Sequence, residues 1–246
     1  MLEIDNSRFI FKHKTIWFSE VPFDIKGYDG VTFHSCTKDV NLEGFSKEKF
    51  TSLVIDLTQD LDTIWEKMGK SSCRRTIDRA KKEGIIIRVN QDYEKFYSIN
   101  SEFRKLKGLT EYNLDVEYMK KNGILFISEF QGKIIGGYFY LSDGKIIRSL
   151  LSASSRFEEK DISRRILGHS DRLIIWEAIK YSKEKGMITF DMGGYYTGEK
   201  PDAQKESIND FKKSFGGELV THYIYQKDYS ILYHIGKKML NTFYLE

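Results

Sequence analysis

Asp191 closes an apolar run, Met187-Ile-Thr-Phe-Asp191, and Gly193-Gly194 follow almost at once. A carboxylate at the end of a buried strand can take a proton from an attacking amine, directly or through water. It can also simply cap the glycine turn beside it. Arg164, Arg165, Gly168 and His169 lead into a stretch whose spacing predicts a helix over residues 168–185. The unpaired N–H groups and positive dipole end of a helix start form a cradle for a pyrophosphate. Gly168 would let a phosphate approach the backbone, and the two arginines would add charge. His169 reads equally as a base or as an ordinary helix-start residue. A second basic cluster comprises Lys70, Arg74, Arg75, Arg79, Lys81 and Lys82. Arg75, Arg79 and Lys82 fall at i, i+4 and i+7, one face of a helix. Such a face suits a phosphorylated ligand or is merely solvated.

Other chemistries find no template. The chain has no G-x-S-x-G, no H-E-x-x-H, no G-x-G-x-x-G after a strand and no Walker loop. Its five histidines, at 13, 34, 169, 222 and 234, show no ligand spacing, so no metal site is expected. Two cysteines, Cys36 and Cys73, exclude a disulfide-stapled secreted fold. The balance of 39 Lys+Arg against 36 Asp+Glu, a net +3, is too small to imply DNA or other nucleic acid by itself. The first residues carry no basic segment followed by an apolar one, and no run approaches the ~18 apolar residues of a membrane span. The expected compartment is the cytoplasm.

These residues need elements to hold them. With 246 residues, 40% hydrophobic and 30% charged, the chain can bury a core as one large domain or two small ones. Ser52-Leu-Val-Ile-Asp-Leu57 reads as a buried strand, and a helix is expected over 60–68. Ser71-Ser72 reads as the N-cap of a helix over 73–83 that stops at Gly84, ahead of the strand Ile85–Val89. Phe96, Ile99, Phe103 and Leu106 set a helical period over 92–107. Three segments from Gly123 to Ser152, broken at Gln131-Gly132 and Asp143-Gly144, read as an antiparallel meander. After the helix over 168–185 come a strand ending at Asp191, a helix over 206–214, a strand over 219–225 and an amphipathic helix over 229–244. SSCRRTIDRAKKEGIIIRV and HSDRLIIWEAIKYSKEKGMITFDM echo each other in order: a serine-led basic start, a helix, a lysine-rich end, a glycine and a strand. Chance, or two diverged copies of one α/β unit, would leave that trace.

From Gly123 to Glu218 the order is meander, helix with a basic approach, strand, then a helix ending Phe211-Lys-Lys-Ser-Phe-Gly216. This order resembles the GNAT superfamily of acyl-CoA-dependent N-acetyltransferases. Phe190-Asp-Met-Gly-Gly194 and the Phe211–Gly216 motif resemble the F-D-x-G-G and F-K-x-x-F-G signatures of its Fem-type (FemAB-like) branch. That branch includes peptidoglycan-bridge aminoacyltransferases and shorter acyl-CoA-dependent relatives. The resemblance implies an α+β fold of two fused GNAT-like halves, each a mixed, mostly antiparallel sheet flanked by helices. Residues 1–90 would be the degenerate half, and 91–246 the acyltransferase half with its closing helix. It implies transfer of an acyl group from acyl-CoA to the amine of a nucleotide-linked amino sugar, both small-molecule substrates, with no metal. In this fold the strand before the cofactor helix, here through Ser152 and Ala153, supplies backbone N–H groups to the acyl carbonyl. Arg164, Arg165, Gly168 and His169 would hold the coenzyme. Asp191 would be catalytic, and Arg75, Arg79, Lys107, Tyr118 and Lys212 would bind the acceptor. A Fem-type aminoacyl-tRNA donor and a non-enzymatic phospholigand-binding module are the alternatives.

Overall fold

In the computed structural model, residues 1–7, 10–108, 114–155 and 162–243 are described. Four strands come first: β1 (Leu2–Asp5), β2 (His13–Trp17), β3 (Gly30–Cys36) and β4 (Ser46–Asp56). Helix α1 (Leu61–Lys67), a π-turn (Lys70–Arg74), α2 (Arg75–Lys82) and β5 (Ile86–Val89) follow. Next are α3 (Tyr93–Leu106), α4 (Val116–Asn122) and the meander β6 (Gly123–Phe130), β7 (Lys133–Ser142) and β8 (Ile146–Ser154). The remainder is α5 (Arg164–Glu184), β9 (Thr189–Tyr195), α6 (Ala203–Lys213), β10 (Glu218–Asp228) and α7 (Ile231–Phe243). The fold class is α+β, with mostly antiparallel strand pairing, as the resemblance implied.

Two compact units divide the chain, one of residues 1–52 with 220–246 and one of residues 53–219. In the first, strands run in the order β1-β2-β3-β10, with only the β2–β3 pair parallel. Its small core is Ile16, Val31, Phe33, Cys36 and Tyr225. The Tyr225 hydroxyl donates to Lys38 O and accepts from Val40 N, both at 2.9 Å, so the buried phenol is satisfied. Compactness does not divide the chain at residue 90.

The second unit orders its strands β4-β9-β8-β7-β6-β5. Helices α1, α2 and α5 contribute Ile64, Ile77, Leu173, Ile174 and Ile179 to its core, against Phe126, Tyr140, Ile147 and Phe190 from the strands. Phe96 of α3 presses on β7 at Gly137, where a Cβ would come within 2.8 Å of its ring. The glycine is what lets that helix sit so close.

Two boundaries differ from the sequence expectation. Helix α5 starts at Arg164, because Ser163 is its N-cap and accepts from Ile166 N at 3.3 Å. Gly168 therefore lies in the second turn and not at the helix mouth. Ser71 and Ser72 cap nothing: Lys70–Arg74 forms a π-turn that runs into α2 with no side-chain cap. The π-turn is held from outside, by Gly69 N to Ser214 O at 2.8 Å and Arg172 Nε to Ser72 O at 2.6 Å.

Candidate active site

Strands β8 and β9 run parallel but pair only from Ile146↔Thr189 to Arg148↔Asp191. Beyond that point they part. Opposite β7, the register of β8 slips between Ser149 and Leu151, so Leu150 is the extra residue of a β-bulge. A cavity of about 450 Å³ opens at this splay. Residues 149–154 of β8, Met192–Gly194 of β9, Asp171 and Ile175 of α5, and Ser207, Ile208, Phe211 and Lys212 of α6 surround it. Gly193 turns the chain there at φ +80°, a conformation a side chain would strain.

Asp191 is buried beneath the splay. One carboxylate oxygen is ion-paired with the Arg148 guanidinium, and the other accepts from Gly193 N at 2.7 Å. It thus does what the sequence reading offered as its structural option, fixing the glycine turn, and also neutralises a buried arginine. Lys212, half-buried on α6, donates to Gly194 O. Burial lowers its ammonium to about 8; Asp191 opposes the fall and Arg148 adds to it. The cavity lining thus holds an amine that burial makes easier to deprotonate than an ordinary lysine.

Of the residues singled out in the sequence, Ser152, Ala153 and Lys212 line this cavity and Asp191 lies directly behind it. Arg164 and Arg165 are exposed in the first turn of α5. Arg165 lies 3.7 Å from Glu83 at the end of α2. His169 is buried, with Nδ1 2.7 Å from the same carboxylate, so it ties α5 to α2. His169 thus lies in the second turn of α5, past the helix start, with a carboxylate partner on one ring nitrogen. Arg75 and Arg79 are exposed along α2, which packs on α5. The two basic clusters therefore lie on neighbouring helices of one unit. Lys107 is the C-cap of α3, and Tyr118 lies in the first turn of α4 with its phenol pushed up to about 12 by burial. Neither lines the cavity.

Several residues of the site carry no mark in the sequence. Asp171 places a second carboxylate in the cavity wall. Tyr138 and Tyr140, two apart on β7 and so on one face, stack at 6.2 Å and line it too. Burial, with the Asp171 charge adding, raises both phenols well above their ordinary value, so they remain neutral donors. Tyr140 is fully buried, and its hydroxyl makes no hydrogen bond among the described residues. The period-two pair of tyrosines was the one available signal; nothing in the sequence joins them to Asp171. Cys36 and Cys73 are buried, their thiols pushed up to about 12 and about 11 by desolvation, which makes them inert. Among the described residues no cluster of histidine, cysteine or carboxylate side chains could hold a metal ion, and no helix is long and apolar enough to cross a membrane.

No family model matches the chain, and no curated protein sequence does. Solved structures do. FemX superposes with a TM-score of 0.59 at 13% identity, over 85% of this chain and 74% of FemX. L-PGS from Bacillus licheniformis gives 0.55 at 17% identity, over 85% of this chain and 71% of that one. A conserved protein of unknown function from Bacteroides thetaiotaomicron gives 0.53 at 11% identity, over 80% and 69%. At such identities the likeness is one of backbone: the chain has the GNAT-like fold that FemX and L-PGS share.

Proposed function

We propose that this chain is an N-acyltransferase that moves an acyl group from coenzyme A to the amine of a nucleotide-linked amino sugar, in the cytoplasm. The observation that carries the reading is the splay. Where β8 leaves β9, the backbone of residues 149–153 borders the cavity without a β9 partner. N–H groups fixed there can polarise a thioester carbonyl at no reorganisation cost. The amine nitrogen forms its bond to the acyl carbon as the carbon–sulfur bond breaks, and the departing sulfur keeps the electron pair. The proton released by the amine passes to a carboxylate, Asp191 by the resemblance, with Asp171 already in the cavity wall. Lys212 sets a cation beside an anionic acceptor or the developing oxyanion.

The coenzyme pyrophosphate would meet the first turn of α5, where Arg164 and Arg165 are exposed and Ser163 satisfies only one of the helix's free N–H groups. Gly168 and His169, one turn in, remain coenzyme contacts by the resemblance alone. Arg75 and Arg79 of α2 would contact the acceptor diphosphate. Lys107 and Tyr118 remain acceptor contacts by resemblance alone. The 1–90 and 91–246 halves are proposed as a record of ancestry, independent of how the chain compacts.

A second donor, aminoacyl-tRNA, has one observation in its favour: Asp171 with Tyr138 and Tyr140 gives the cavity a carboxylate and neutral donors that suit an acyl group bearing an ammonium. The phospholigand-binding module would need neither. Thermal shift with coenzyme A, a charged tRNA and nucleoside-diphosphate amino sugars separates the three, because a ligand of the native state raises the melting temperature by mass action. The leading reading expects coenzyme A and the nucleotide sugar to stabilise, and the tRNA not to. Stabilisation by the tRNA alone would transfer the same site to the aminoacyl donor.

A further inference from the structure

Tyr140 lines the cavity at the β8–β9 splay, is fully buried, and has no partner for its hydroxyl among the described residues. Its ring packs against Phe126 edge-on at 5.7 Å, Phe190 at 5.4 Å and Tyr138 at 6.2 Å. A ring wedged that way has little freedom to carry its hydroxyl out to solvent. Its neighbour differs, because the Tyr138 phenol is hydrogen-bonded with Ser152. Buried polar groups normally have partners, and an exception in a cavity wall is a place where a bound molecule can supply one.

Asp171 lines the same cavity from α5, and its charge reaches the Tyr140 phenol. Burial and that charge keep the phenol protonated, so Tyr140 offers an O–H and Asp171 offers lone pairs. Different substituents meet this pair differently. A methyl group serves neither. An ammonium has protons for Asp171 but no lone pair for the tyrosine O–H. A hydroxyl serves both, its oxygen accepting from Tyr140 while its proton goes to Asp171. Leu151, Ile175, Phe190 and Met192 also line the cavity and are buried, so few other polar groups compete for such a substituent. At about 450 Å³ the cavity has room for a thioester with a short acyl chain.

Resting on the acyl-transfer reading above, we propose that the transferred acyl group bears a hydroxyl close to its carbonyl, received between Tyr140 and Asp171, and that Tyr140 sets this specificity. Saturation-transfer NMR titrations of the full chain with glycolamide, propionamide and glycinamide test it. These probes place a hydroxyl, a methyl and an ammonium on one small carbonyl scaffold, with no coenzyme attached. Glycolamide should bind about tenfold more tightly than propionamide, and more tightly than glycinamide. Tyr140→Phe should bring the ratio of glycolamide to propionamide affinity to about one. The urea midpoint of Tyr140→Phe should equal or exceed that of the wild type, because the hydroxyl removed has no partner to lose. Transfer assays with glycolyl-CoA and acetyl-CoA read the donor separately: kcat/KM should favour glycolyl-CoA by about tenfold, and by less in Tyr140→Phe. Glycolamide that binds no better than propionamide, a preference for glycinamide, or a Tyr140→Phe variant with a lowered midpoint overturns the hydroxyl subsite. Equal transfer from the two thioesters also overturns it and leaves the acyl-transfer reading standing. A glycolamide preference that Tyr140→Phe erases, with no transfer from either thioester, supports the subsite and removes coenzyme A as the donor.

Discussion

Lys212 and Asp191 are two charges at the β8–β9 splay whose burial bears on stability. Lys212 is forced to be half-buried, and burial lowers its folded-state value to about 8, below its ordinary 10.5. The unfolded chain therefore binds more protons between about pH 8 and pH 10.5, and stability contributed at this site rises with pH across that window. Lys212→Met should abolish the rise. Urea unfolding of both proteins at about pH 7 and about pH 10 measures it, and the wild type should gain on the variant at the higher pH. A constant difference would mean that the amine is not perturbed. For Asp191, the ion pair with Arg148 is buried on both sides. Asp191→Ala leaves the arginine without that counter-charge and should cost about 3–5 kcal/mol of stability. Asp191→Asn should cost less but still lower the melting temperature, since a neutral amide replaces a charge. If either variant unfolds at the wild-type urea midpoint, the pair does not hold this strand end.

At the level of elements, the site is made by two strands that stop pairing and a helix that starts nearby. The parallel β8–β9 pairing ends at Asp191, and the bulge at Leu150 turns the strand at the same level. Helix α5 brings its first turn and Asp171 to the same unit. If Arg164 and Arg165 receive a pyrophosphate there, Arg164→Ala/Arg165→Ala should weaken coenzyme A binding by ~1.5–3 kcal/mol per lost charge-assisted contact. Nucleotide-sugar binding should barely change. Titration calorimetry of both ligands reads the two effects separately, and an unchanged coenzyme affinity would place the donor elsewhere. The sequence reading passed over Ser163, although a serine before an apolar-periodic stretch is the ordinary mark of a helix start. Gly168 drew the expected boundary inward because a glycine reads as a break, although its Cβ-less position in α5 meets only the tip of Arg172 at 4.0 Å.

For the molecule as a whole, the order of elements from Gly123 to Gly216 was legible because strand alternation, glycine turns and helical spacing are local signals. Phe190–Gly194 and Phe211–Gly216 added two short motifs at fixed places in that order. The bulge at Leu150 was not legible, since Ile146–Ser154 reads as an unbroken strand. Nor was the Arg148–Asp191 pair, whose members are brought together only by the β8–β9 register. Asp171, Tyr138 and Tyr140 converge from a helix and a strand far apart in sequence, so no spacing rule could find them. The division of the chain is likewise a tertiary fact: residues 220–246 return to the first 52.

The central claim is acyl transfer at the β8–β9 splay. The direct measurement is mass spectrometry of a nucleoside-diphosphate amino sugar incubated with the full chain and acetyl-CoA. The account predicts an N-acylated nucleotide sugar, formed far faster than the acylated free amino sugar because remote phosphate contacts orient the amine, and formed slowly by Lys212→Met. Contradiction would be a folded wild-type chain that transfers nothing to either acceptor, or a Lys212→Met variant whose product forms at the wild-type rate.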